Sequence, residues 1–355
     1  MSTRSLWILS AAAIGAWAAD SAAPKLNPPA PTVTLNVTAV DASGRPATGL
    51  TCADFQVFDE GHPQPLLPCP SVGLQPPSTM VVWDLLNSIR GHRGYQSDLL
   101  IRALESLQTN GSVYLYILTN RGEIYPVHPL PAPGQAEPAG ASWTRQIRPL
   151  IARALDEVTE FRPADYQNEG IRAGMSFLRL TQLEDGFSRI SGPKTMVWIT
   201  TGSPNLMRCP YGCRDVSFPG DSGDYVAGQC TPTCPVYGQG DCIDYGPFLR
   251  RFSAALGHDL ISLYSVEETP IGKLARADRG SPKDTLQQFA DLTGGRRYGR
   301  GELSKALDAS LTDAAARYPL AFESAADGRY HTVRIIAKRP GIHVEAPTGY
   351  YAEPK

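Results

Sequence analysis

The chain lacks a surplus of charge of either sign. Its 33 Lys and Arg are offset by 35 Asp and Glu, a formal net charge of −2 over 355 residues. That excludes a nucleic-acid binder or a polybasic membrane-surface protein as the starting reading, since both rest on an excess of positive charge. Long apolar runs are also missing. The one apolar stretch, near the N-terminus, is shorter than the roughly 20 residues a spanning helix needs, so no membrane span is expected. Histidine is not clustered: His62, His92, His128, His258, His331 and His343 are scattered, with no His-x-x-x-His spacing, and each reads as a surface or capping residue. No Gly-x-Ser-x-Gly elbow occurs, and the glycines around Gly280 and Gly294 match no phosphate loop. Asp20, Asp59 and Glu60 read as solvated turn acids. The common signatures of catalysis are therefore missing.

What is present is proline, with 31 residues, and seven cysteines, five of them between Cys209 and Cys242. The first 18 residues place Arg4 before a short apolar, Ala-rich run that ends Ala16-Trp17-Ala18. This is the layout of a secretory signal peptide, so a secreted or periplasmic protein is expected. In an oxidising compartment cysteines pair. Pairing Cys52 with Cys69 would close a short loop, for about 3 kcal/mol on a chain-entropy model. Cys209, Cys213, Cys230, Cys234 and Cys242 have a spacing that zinc could use, but no histidine lies beside them, and disulfides are the preferred reading. Seven is odd. One thiol stays free, pairs with another chain or binds something.

Residues 19–31 form a Pro-rich linker. Residues 32–76 follow as a β segment: a period-two strand from Val33 to Val40, a turn at Asp41 to Pro46, and a second strand at 55–58. From Met80 the pattern changes. Val81-Val82-Trp83, 113–118 and 196–200 are continuous apolar runs, the mark of strands buried on both faces. Helical spacing is read at 95–107, 143–161, 167–180, 248–256, 284–292 and 303–318, with a further strand at 260–266. Strand and helix alternate over 77–318, so the expected fold is α/β, a doubly wound, mainly parallel sheet of Rossmann type. The tail, 319–355, carries antiparallel strands at 320–322, 330–337 and 343–345. Neither β flank is large enough to fold alone, so 32–76 and 319–355 are expected to pack together as one small β domain.

Ligands of such a sheet gather at the carboxyl ends of its strands. The first apolar strand ends Trp83-Asp84-Leu85-Leu86-Asn87-Ser88, and the third ends Thr200-Thr201-Gly202-Ser203. With Asp54-Phe-Gln-Val-Phe-Asp-Glu-Gly61, Leu292-Thr-Gly-Gly295 and the closing Thr348-Gly-Tyr-Tyr351, these stretches resemble the von Willebrand factor A (VWA)-related domains of secreted bacterial type. The resemblance covers nearly the whole chain after the signal peptide. It implies a protein-binding or adhesion module rather than an enzyme, with Mg²⁺ or Ca²⁺ at a metal-ion-dependent adhesion site. Asp84 and Ser88 match the first and last positions of the Asp-x-Ser-x-Ser motif. Leu86 replaces the middle serine, Thr201 stands at the distal aspartate position, and the loop around Asp165 has no threonine, so the site is degenerate.

Residues 206–245 interrupt the sheet at this edge as a Cys- and Gly-rich insertion without a core of its own. It is either a structural flap or, with Tyr211, Tyr225 and Tyr237, part of a recognition surface. The expected binding residues are Asn87, Thr201, Ser203 and those three tyrosines. Two rival readings stand beside this one. One is an enzyme with an unrecognised site on the same face, built on Asp84 with Asp165 or Arg90. The other is a metal-binding protein using the cysteines of the insertion.

Overall fold

The structure is a computed structural model. It describes residues 31–68, 76–87, 93–107, 109, 111–135, 142–158, 169–200, 213–217, 226–230, 246–268, 282–314 and 316–352. The strands in chain order are β1 (Thr32–Asp41), β2 (Phe55–Asp59), β3 (His62–Gln64), β4 (Ser78–Asp84), β5 (Ser112–Leu118), β6 (Ile124–His128), β7 (Lys194–Thr200), β8 (Cys213–Ser217), β9 (Val226–Cys230), β10 (Ile261–Glu267), β11 (Arg297–Tyr298), β12 (Arg317–Glu323), β13 (Tyr330–Ala337), β14 (Ile342–Glu345) and β15 (Gly349–Tyr351). The helices are α1 (Arg93–Glu105), α2 (Ile147–Glu157), α3 (Glu169–Ser188), α4 (Gly246–His258), α5 (Pro282–Thr293) and α6 (Leu303–Ala314).

The fold is mixed α/β around a six-stranded sheet of order β11-β10-β7-β4-β5-β6, in which only β6 runs antiparallel. Every residue of β4, β5, β7 and β10 is buried. Helices cover both faces, which is why these strands are continuously apolar rather than alternating. Met80, Val82, Tyr114, Met196 and Trp198 pack against Phe177, Leu180 and Phe187 of α3, Phe252 of α4 and Phe289 of α5. Val81, Trp83, Leu115, Ile117 and Val197 pack on the other face with Leu100 and Leu104 of α1, Ile151 of α2 and Leu307 of α6.

The two ends of the chain form two further sheets, β12-β1-β14 and β15-β13-β2-β3. Leu35, Val37, Phe55, Val57, Leu320, Phe322 and Val333 make one core between them. β1 does not show the one-sided burial that its period-two sequence predicts, because Asn36 and Thr38 on its polar face are buried as well. That face lies on the amino-end edge of the six-stranded sheet. Asn36 Nδ2 donates to the Leu260 carbonyl (3.2 Å) and to Ser262 Oγ (2.9 Å). Arg317 of β12 reaches the same edge, donating to the Lys194 carbonyl (2.8 Å) and Thr195 Oγ1 (3.0 Å). The β layer thus docks at the amino ends of the strands and leaves their carboxyl ends clear of it.

Several elements differ from the sequence reading. Residues 142–146 form a 3-10 turn ahead of α2, and α2 ends at Glu157. α3 runs on to Ser188. The last helix stops at Ala314, and Arg317 and Tyr318 belong to β12, where pairing with Thr38 and Val37 overrides helical spacing. β3, β11 and β15 are too short to show a sequence pattern, and the ribbon β8–β9 inside the Cys-rich insertion has no apolar alternation.

Candidate functional site

Period-two alternation and strand register build the site at the carboxyl ends. Met80 and Val82 face the α3 side of the sheet, so Asp84, two residues on, faces it too. In β7, Trp198 stands opposite Val82 and shares that face, and Thr200 follows two residues later. Side chains on three elements therefore converge. Trp198 Nε1 (3.3 Å) and Thr200 Oγ1 (3.2 Å) donate to Asp84 Oδ2. Asn87 donates twice, from its backbone N–H to Oδ1 (3.1 Å) and from Nδ2 to Oδ2 (2.7 Å). Asn87 Nδ2 also lies 2.9 Å from Ser176 Oγ on α3, which ties the loop to the helix. Asp84 is fully buried. Burial pushes its pKa up, against the pull of these four hydrogen bonds.

A second carboxyl group sits on the opposite face of the same edge. Glu268 follows β10 and is buried; its backbone N–H donates to the Thr200 carbonyl (2.8 Å) and its Oε1 accepts from the Gly301 N–H (3.0 Å). Burial raises its pKa, opposed by the Gly301 hydrogen bond and the nearby Arg300. Its neighbour Glu267 pairs with Arg297 at 2.6 Å. The Arg300 guanidinium lies over the Tyr95 ring, 5.0 Å from its centroid, and Tyr95, in the first turn of α1, is 41% exposed. The edge thus carries a buried polar floor and an exposed aromatic–cation pair.

The described part of the cation ligand set does not suit a hard divalent ion. Such an ion takes several oxygen ligands. Leu86 offers none and is buried in the core. Asp84 Oδ2 already accepts from two N–H groups and one hydroxyl, and N–H donors point positive charge where an ion would sit. Ser88, Thr201, Ser203, Tyr211, Tyr225, Tyr237, Arg90 and Asp165 lie outside the described residues, as do Cys69, Cys209, Cys234 and Cys242. Cys52 is disulfide-bonded. Cys213 and Cys230 stand opposite each other in the β8–β9 ladder.

No protein-family model and no curated protein matches the chain. Among solved structures it is similar to the N-terminal domain of TFIIH p34, at 10% identity and a TM-score of 0.34, covering 66% of this chain and 96% of that one. It is also similar to a pilus adhesin from Lactobacillus rhamnosus GG, at 12% identity and a TM-score of 0.33, over 74% of this chain and 34% of the adhesin. A human COPII-coat protein matches at 9% identity and a TM-score of 0.36, over 89% of this chain and 48% of that one. The chain spans less than half the length of the last two. Likeness at this level carries no functional argument.

Sequence reasoning named Asp84 and Asn87 but not the roles of Trp198, Thr200, Ser176 and Glu268. Trp198 and Thr200 were visible as a strand end; their contact with Asp84 depends on register. A junction cavity of about 100 Å³, lined by Asn36, Ser253, His258, Thr293 and Tyr350 among others, lies away from this edge. It is smaller than the roughly 300 Å³ from which ligand pockets usually start.

Two further groups correct the sequence reading. Asp59 is not a solvated turn acid, and His331 is not a surface residue: both are more than nine-tenths buried and face each other across β2 and β13. At the amino-end edge, Glu184 of α3 is buried and hydrogen-bonded to Asp259. Burial, then the Asp259 carboxyl, push its pKa up to about 8.

Proposed function

We propose that the protein is a secreted or periplasmic binding module. The carboxyl-end face of its VWA-like sheet recognises a protein partner, and Asp84 acts there as a structural acid rather than a catalytic one. The burial and bonding of Asp84 carry this reading: it is fully buried, and four donor contacts from two segments, three to Oδ2 and one to Oδ1, hold its carboxyl inside the fold rather than presenting it to a substrate. The exposed Tyr95 with its Arg300 neighbour supplies the residue types that anchor protein interfaces. The disulfide at Cys52 supports an oxidising compartment. The adhesion-site motif persists as a fold remnant whose cation is replaced by hydrogen-bond donors within the chain.

The test is site-specific photo-crosslinking of the full chain, with the probe at Tyr95 or, as control, at the exposed Tyr330 of β13. Adducts formed from Tyr95 and not from Tyr330 are expected. Equal labelling from both positions would overturn the face assignment. Calorimetry with Mg²⁺, Ca²⁺ and Mn²⁺ is expected to show no saturable site at millimolar metal, and a stoichiometric site abolished by Asp84→Ala would sink the cation-free reading.

A further inference from the structure

We propose that a doubly protonated His331 latches the two ends of the chain together, and that the latch opens as pH rises. Both ring nitrogens face carboxylates. Nδ1 lies 3.0 and 3.2 Å from the two oxygens of Asp59, and Nε2 lies 3.1 Å from Asp327 Oδ1. Ionised carboxylates only accept hydrogen bonds, so both nitrogens must donate, and only the imidazolium can do so. A neutral ring would aim one lone pair at a carboxylate inside a buried site.

The latch spans the join between N- and C-terminal segments. Asp59 closes β2, His331 lies in β13, and Tyr350 of β15 stacks on the imidazole at 5.2 Å and 25°. The Tyr350 hydroxyl donates to Asp59 Oδ2 (3.0 Å) and shares a hydrogen bond with Ser324 beyond β12. Burial pushes the Tyr350 pKa up to about 12, so this donor stays in place through neutral pH.

The charges around the ring decide the direction. From β2 and its turn come Asp59 and Glu60, and from the turn before β13 come Asp327 and Arg329, themselves paired at 2.6 Å. Tyr350 and Ser324 add no charge. With His331 protonated, three carboxylates face two cations. Without that proton only Arg329 remains against three. Burial alone would lower the His331 pKa, but the hydrogen bonds to Asp327 and Asp59 outweigh it and hold it above its ordinary value. A folded-state pKa above the unfolded one gives stability that is complete below about pH 6.5 and is lost as pH rises through the folded value. Asp327 shifts the other way, held low by hydrogen bonds from Arg329 and His331, so its contribution disappears only in acid.

The test uses the full chain carrying Glu184→Gln, so that Glu184, which also titrates in this range, is silent. Nitrogen-15 NMR of the histidine rings is expected to show His331 protonated on both nitrogens at about pH 6, with a midpoint above about 6.5. The melting temperature is expected to fall from about pH 6 to about pH 9, and His331→Gln is expected to remove that fall. Asp327→Asn should lower the His331 midpoint by about one pH unit, a tenfold loss of proton affinity. A neutral His331 tautomer at about pH 6, or an undiminished pH slope in His331→Gln, would overturn the proposal. Should His331→Gln fail to fold, an unchanged midpoint in Asp327→Asn overturns it instead.

Discussion

Asp84 shows how a strand-end acid can be structural. Removing its carboxylate would leave the Trp198 indole N–H, the Thr200 hydroxyl and the Asn87 amide without this acceptor in a buried site. Asp84→Ala is therefore expected to cost roughly 2–4 kcal/mol in urea unfolding, and Asp84→Asn, which keeps one acceptor oxygen, clearly less. Glu184 gives a second prediction at this scale. Its folded pKa of about 8 lies above the ordinary value, so it favours the folded state below about pH 4.5 and loses that contribution as pH rises through 8. Glu184→Gln is expected to flatten this part of the stability–pH curve while His331 still titrates. An unchanged slope would mean that the Glu184–Asp259 pair does not share a proton.

The join after α5 explains why two glycines stand together. Gly294 has a φ of +64°, and a Cβ there would come within 2.4 Å of the Asn36 carbonyl oxygen. At Gly295 a Cβ would lie 1.9 Å from the Leu263 carbonyl oxygen, so β10 itself blocks a side chain. Gly295→Ala should destabilise by more than about 2 kcal/mol, while Gly174→Ala inside α3, with open space around it, should stabilise by up to about 1 kcal/mol. Thermal melts of the two variants check the contrast. For the ribbon, register decides the expected pairing. Directly opposed antiparallel residues have Cα atoms about 4.5–5.5 Å apart, within the span a disulfide bridges. Non-reducing peptide mapping of the full chain is expected to recover a Cys213–Cys230 link, and finding either one joined only to another cysteine would refute it.

For the whole molecule, the consequence of the topology is cooperativity. β1 lies between β12 and β14, and its polar face is bonded to the amino-end edge of the six-stranded sheet. Arg296 adds a bridge, contacting Asp313 of α6 (3.3 Å) and Glu345 of β14 (2.6 Å). The β layer and the α/β layer are therefore expected to unfold together. Tryptophan fluorescence reports mainly on the α/β core, where Trp83 and Trp198 are buried, and far-ultraviolet dichroism reports on both layers. Coincident transitions are expected, and two separated ones would show that the layers are independent.

Sequence alone determined the strand and helix alternation, because strands buried on both faces must be apolar throughout, and runs such as Val81-Val82-Trp83 show it directly. It also located Asp84 at a strand end and Gly294-Gly295 at a helix stop. What tertiary structure decided was every relation between distant residues. Trp198 and Thr200 meet Asp84 through the register of two parallel strands more than 100 residues apart. Asp59 and His331 read separately as a turn acid and a surface histidine; they become a buried ion pair only because β2 and β13 lie side by side. A local pattern encodes which face a residue takes, but its partner depends on long-range pairing that spacing along the chain does not record.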